Sequence, residues 1–161
     1  MHFFPDPSEP TLQPFALAFV RLMFAHAGFE PRVSELMGVI ADDGRFGEKN
    51  RWLARQRPRL IKKLIDKHHP EGLPEMNGIV DCLKRSITPC DDRNLLAHGT
   101  WWKFDTRAGS ITIRSATNRP DEEQHRDRTI TDIELIAATF DDLEVELYKM
   151  QRTIEKRTAS A

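Results

Sequence analysis

Ile133, Ile136, Phe140, Leu143, Leu147, Met150 and Ile154 follow one another in alternating steps of three and four. An α-helix puts such positions on a single line, and an apolar line of that length must be covered by something. The chain is therefore organised around one long helix near its end, predicted from Thr131 to about Lys156. Thr131 and Glu134 have the spacing of a capping box, and Ile130 with Leu135 can form the staple beside it. The seam can line the chain's own bundle or a two-fold interface, with bundle packing as the default.

The remaining periodicity supplies partners for that helix. Leu12, Phe15, Phe19, Val20 and Met23 predict a strongly apolar helix over Thr11–Ala27, ended by Gly28. Val33, Leu36, Met37 and Ile40 predict a second, short helix from Glu30 to Ala41. After a loop at 42–47 comes a basic segment, 49–69, in which Pro58 should break or kink the helix. Met76–Ser86 is the next helix, leading through Thr88-Pro89 into a short one that Gly99 closes. The pattern then changes to alternation at 100–105 and 111–114, a β-hairpin with Trp102 and Phe104 on one face and Trp101 and Lys103 on the other. The predicted class is mainly α: an up-and-down-like bundle of about five to six helices, with one small hairpin between the short helix and the long C-terminal one. Residues 1–161 read as a single domain, with 1–10 an extended lead-in, 116–128 a mobile loop and 157–161 a frayed tail.

Composition narrows the function. The net charge is −1, so nothing global selects a polyanion or a membrane. The charge is nevertheless polarised, at +7 over 49–69 and −8 over 121–146. The segment 49–69 reads either as a phosphate-contacting surface, with Arg51, Arg55 and Lys62 as candidate binding residues, or as a solvated helix face balanced by acids elsewhere. Pro14–Ala27 is too short to span a bilayer, and the N-terminus lacks the pattern of a secretory signal, so a cytoplasmic protein with no membrane partner is expected. Cys82 and Cys90 are too few for a disulfide scaffold. There is no phosphate-cradling glycine loop, Gly-x-Ser-x-Gly elbow, His-Glu-x-x-His or cysteine cluster, so no metal and no cofactor is expected.

One segment is not explained as core. Thr88–Gly99 reads Thr-Pro-Cys-Asp-Asp-Arg-Asn-Leu-Leu-Ala-His-Gly. Thr88 can cap a helix, Pro89 suits its first position, and Asp91 stands where a capping-box acid would. Asn94 and His98 are four apart and share a face, while Arg93 lies about 100° round the axis. An imidazole can take or give a proton, and a guanidinium fork suits a phosphate oxygen pair. The bare Arg-x4-His spacing is weak, since Arg21…His26 repeats it inside an apolar helix. That copy lacks a polar residue after the arginine, and His26 reads as a satisfied core histidine.

The longer string Arg93-Asn94-Leu95-Leu96-Ala97-His98 resembles the Arg-x4-6-His signature of the HEPN superfamily, small helical-bundle proteins of which many are metal-independent ribonucleases of toxin–antitoxin and defence systems. The resemblance implies a homodimer that brings two motif helices together, Arg93, Asn94 and His98 as catalytic residues, RNA as substrate and a cognate antitoxin as partner. The alternative is a non-catalytic dimeric module that binds a protein or a nucleotide or RNA ligand. Trp101 beside the motif reads either as cover for the bundle or as a platform for an unpaired base.

Overall fold

The computed structural model describes residues 12–105, 107–115 and 125–160. They form α1 (Gln13–Ala41), α2 (Phe46–Lys49), a 3-10 turn (Ala54–Gln56), α3 (Arg57–His68), α4 (Met76–Arg85), α5 (Ile87–His98), β1 (Thr100–Asp105), β2 (Ser110–Arg114), β3 (His125–Thr129) and α6 (Ile130–Ala159). The chain is thus mostly helical, with one small antiparallel sheet in the order β1-β2-β3. The described residues fall into two compact units, Met1–Ala25 with Pro89–Ala138 and His26–Thr88 with Thr139–Ala161. α1 and α6 each contribute residues to both, so the units are not successive domains.

The seam of α6 is core. Ile133, Phe140, Leu143 and Leu147 are wholly buried and Ile154 nearly so, within one copy of the chain. Its start is a capping box two residues earlier than expected. The Thr129 backbone N–H donates to the Asp132 carboxylate at 2.8 Å, and the Asp132 N–H donates to Thr129 Oγ1 at 3.1 Å. Its end runs through Arg157 to Ala159 rather than fraying there.

The expected break at Gly28 does not occur. α1 runs unbroken through Gly28 and Pro31. The local cost of these residues is outweighed by burial of Phe29, Val33, Leu36, Met37 and Ile40 beyond them. A Cβ at Gly28 would meet only the end of the flexible Glu144 side chain, so close packing does not require glycine there. Pro58 does not break a helix either. It occupies the first turn of α3, where its missing N–H is not needed.

In the first unit Leu96 of α5 and Ile111 and Ile113 of β2 are buried, and α5 is joined to the sheet where the Trp101 indole N–H donates to the Leu96 carbonyl. It begins at Ile87, so Asp91 is not in its first turn and forms no capping box there. Gly99 takes no left-handed conformation. It is needed because a Cβ would lie 2.4 Å from the Leu95 carbonyl oxygen and 2.6 Å from Ile113 Cγ2.

The sheet departs from the sequence reading twice. β1 carries a bulge: Trp101 pairs with Ile113 and Lys103 with Thr112, leaving Trp102 as the extra residue. This shifts the alternation, so Trp101 and Phe104 share the inner face, edge-on to Phe19 and Phe15 of α1 at 5.6 and 5.1 Å. And 125–128, expected as loop, belong to β3. The rest of that predicted loop, 116–124, and the lead-in 1–10 lie outside the described residues. β3 contains only polar residues, His-Arg-Asp-Arg-Thr, so hydropathy could not reveal it. Cys82 and Cys90 are free buried thiols, and burial pushes the Cys82 thiol up to about 12.

Candidate functional site

α5 carries the motif. Asp92 and Leu96, one turn apart, are buried and anchor the helix. Asn94 and His98 lie on the far side and are exposed, while Arg93 is half-buried between these faces. The helix thus brings Asn94 and His98 together on one solvent-facing strip. It does not bring Arg93 onto that strip, because residues five apart on a helix are about 140° apart round the axis. The His98 ring makes no hydrogen bond to another described residue, so it is a nitrogen base and proton donor offered to solvent.

Beside the motif lies a cluster that sequence reasoning missed. Asp92 is only 8% exposed. Its Oδ1 accepts from Arg126 Nη1 at 3.0 Å and from Arg128 Nη2 at 2.6 Å. The two arginines alternate on β3 opposite Ile113 and Ile111, so both project toward α5. Two guanidiniums thus share one buried carboxylate. The available signal was the Arg-Asp-Arg alternation, a period of two written in charge rather than hydropathy.

Trp101 covers the unit. Its indole N–H donates to the Leu96 carbonyl at 2.9 Å and its ring packs on Phe19. The aromatic ring that faces water is Trp102, 62% exposed, with the Arg114 guanidinium 5.4 Å from its centroid.

The other candidates belong to the second unit. Arg51, Arg55 and Lys62 are exposed, Arg51 before the 3-10 turn, Arg55 in it and Lys62 on α3. Arg57, from the same basic segment, is structural. It is 8% exposed, its Nη2 donates to Glu30 at 2.6 Å and its Nε to the Trp52 carbonyl at 3.1 Å. Burial raises the Glu30 carboxyl, but hydrogen bonds from His26 and Arg57 outweigh it and hold the group at about 2. His26 is accordingly an internal histidine, 7% exposed, 3.2 Å from Glu30 and edge-on to Phe140. The ion-pair partners of Lys49 and Arg57 are Asp43 and Glu30, so these two draw on acids of the N-terminal half. Among the described residues no helix is long and apolar enough to cross a membrane. No family model, curated protein or solved structure matches this chain, so the reading of the site rests on its residues and their geometry.

Proposed function

We propose that this protein is a HEPN-like, metal-independent endoribonuclease of a toxin–antitoxin or defence system. It acts as a homodimer, with Arg93, Asn94 and His98 of both copies at one cleft, on an up-and-down-like helical bundle. The observation that carries the reading is the exposed Asn94–His98 strip at the end of α5. In the reaction His98 of one copy takes the ribose 2′-OH proton as the oxygen attacks phosphorus. His98 of the other protonates the departing 5′-oxygen, leaving a 2′,3′-cyclic phosphate and a 5′-hydroxyl. Arg93 balances charge on the phosphorane, and Asn94 orients His98 or the phosphate. The test is cleavage of single-stranded RNA and tRNA by the purified protein in EDTA. Arg93→Ala and His98→Ala should each abolish it, and unchanged cleavage by either variant refutes the assignment.

A second reading is favoured by the half-burial of Arg93 and its angular separation from the Asn94–His98 strip. The protein is then a non-catalytic dimeric module for a protein partner, such as a nucleotidyltransferase-like antitoxin, or for a nucleotide or RNA ligand. Absence of cleavage together with retained binding of that partner by His98→Ala would favour it.

A further inference from the structure

The cations of α3 are placed unlike those that precede it. Arg59, Lys62, Lys63, Asp66 and Lys67 are exposed. Their steps of three and one keep them within an arc of about 140° round the helix axis. Ile61, Leu64 and Ile65 take the opposite side and are buried. The outer side of α3 is thus one row about 12 Å long, with four cations against a single acid.

The surroundings do not balance this row. Arg57, at the start of α3, is engaged by Glu30, and Lys49 stands 3.8 Å from Asp43. Arg59, Lys62, Lys63 and Lys67 have no ion-pair partner among the described residues, Asp66 included. α4 and the 3-10 turn pack against α3. The turn contains no acid, and the acid of α4, Asp81, is held by Arg85 at 2.9 Å. In the connection from α3 to α4, Glu71 lies 3.7 Å from His69, and Glu75 is bound by Arg157 at 2.6 Å. Cations gathered without counter-charge repel one another, and a polyanion is the occupant that relieves the repulsion.

The side chains also choose among polyanions. A helix that lies in a membrane surface offers it an apolar face, and on α3 that face is buried inside the unit. Protein interfaces are poor in lysine and apolar at their centre. Three of these four cations are lysines, and no exposed apolar side chain stands among them. Nucleic-acid interfaces are polar and strongly positive. Lysine is a point charge that suits phosphate oxygens, and phosphate contacts carry no base sequence.

We propose that the outer row of α3, formed by Arg59, Lys62, Lys63 and Lys67, is a surface that holds an RNA strand by its phosphate backbone, without regard to base sequence. It deepens the nuclease reading by giving the protein a grip on its substrate, and it rests on that reading for the choice of RNA. The row includes none of Arg93, Asn94 and His98, so the two ideas fail separately.

The experiment is fluorescence anisotropy of a 5′-labelled 12-nucleotide oligouridylate titrated with full-length protein in the His98→Ala background, which removes cleavage as a complication. Lys62→Gln together with Lys63→Gln removes two phosphate contacts. The pair should reduce the slope of log K against log salt by about 1.4 and weaken binding on the order of tenfold at about 0.1 M salt. Asp66→Asn removes the acid of the row and should tighten binding about two- to threefold, a gain that damage to the fold does not produce. Lys103→Gln, on the sheet of the other unit, should stay within about twofold of the parent. An oligoadenylate of equal length should bind within about threefold of the oligouridylate. The proposal is overturned if the double lysine variant binds within twofold of the parent, if Asp66→Asn does not tighten binding, or if Lys103→Gln weakens it as much as the double variant does. It is also overturned if an oligoglutamate of equal charge displaces the RNA as well as unlabelled RNA does. Lysine-dependent binding by a protein that never cleaves RNA would sink the nuclease and leave the surface standing.

Discussion

Asp92→Asn tests the interior of the first unit where helix and sheet meet. The substitution keeps shape and removes one negative charge that two guanidiniums share. Both hydrogen bonds end on Oδ1, at 3.0 Å from Arg126 and 2.6 Å from Arg128. Stripping the partner from a fully buried ion pair costs about 3–5 kcal/mol. This cluster is not uniformly buried: the Arg126 side chain is 40% exposed and that of Arg128 20%. Arg126 can turn to water, so its share falls to the ~0–1 kcal/mol of a surface pair. Arg128 retains most of the penalty. The expected loss is therefore about 2–3 kcal/mol, below the fully buried limit. For a chain of this length that lowers Tm by roughly 5–10 °C. Urea unfolding followed by circular dichroism gives the value directly. A double-mutant cycle with Arg128→Met isolates the pair, and the double variant should recover at least about 1 kcal/mol of the summed single losses. A loss under about 0.5 kcal/mol, or strict additivity, would show that Asp92 does not hold β3 against α5.

Two further perturbations address other joints. Gly99→Ala forces a Cβ to within 2.4 Å of a backbone oxygen and 2.6 Å of Ile113; it should destabilise by about 1–3 kcal/mol in thermal melts, and a neutral result would mean that the end of α5 is not seated on β2. The Glu30 carboxyl is held at about 2 in the folded chain, below its unfolded value of about 4.3. Its stabilisation is thus complete above about pH 4.3 and is lost as pH falls toward 2. The urea midpoint of the parent should drop across that window and that of Glu30→Gln should drop less; parallel curves would remove Glu30 from the account.

The helices were legible because burial writes itself into hydropathy. The α6 seam was visible in seven positions, six of which are buried in a single copy. What hydropathy could not show was carried by backbone pairing and by charge. β3 is polar throughout and exists because β2 offers it a hydrogen-bonding edge and Asp92 offers its arginines a counter-charge. The bulge at Trp102 was equally invisible, since two adjacent tryptophans fit either phase of an alternating strand. That single inserted residue decides which indole packs on Phe19 of α1 and which faces water. Gly28 and Pro31 misled for another reason: their local cost is small beside the apolar side chains that follow them in α1.

The motif was found by its residue types, and the fold then constrains how those residues can cooperate. With Asp92 and Leu96 fixed inward, the rotation of α5 about its axis is set. His98 and Asn94 then face solvent, and Arg93 is directed about 140° away from His98. No change of rotamer moves a backbone attachment point, so one copy of α5 presents base and cation to different regions of space. A substrate phosphate that uses both must therefore meet a second motif helix in a different orientation, or the arginine must act on a phosphate other than the one that His98 attends. The first arrangement is the composite two-fold cleft. The second requires a substrate long enough to reach both faces of α5.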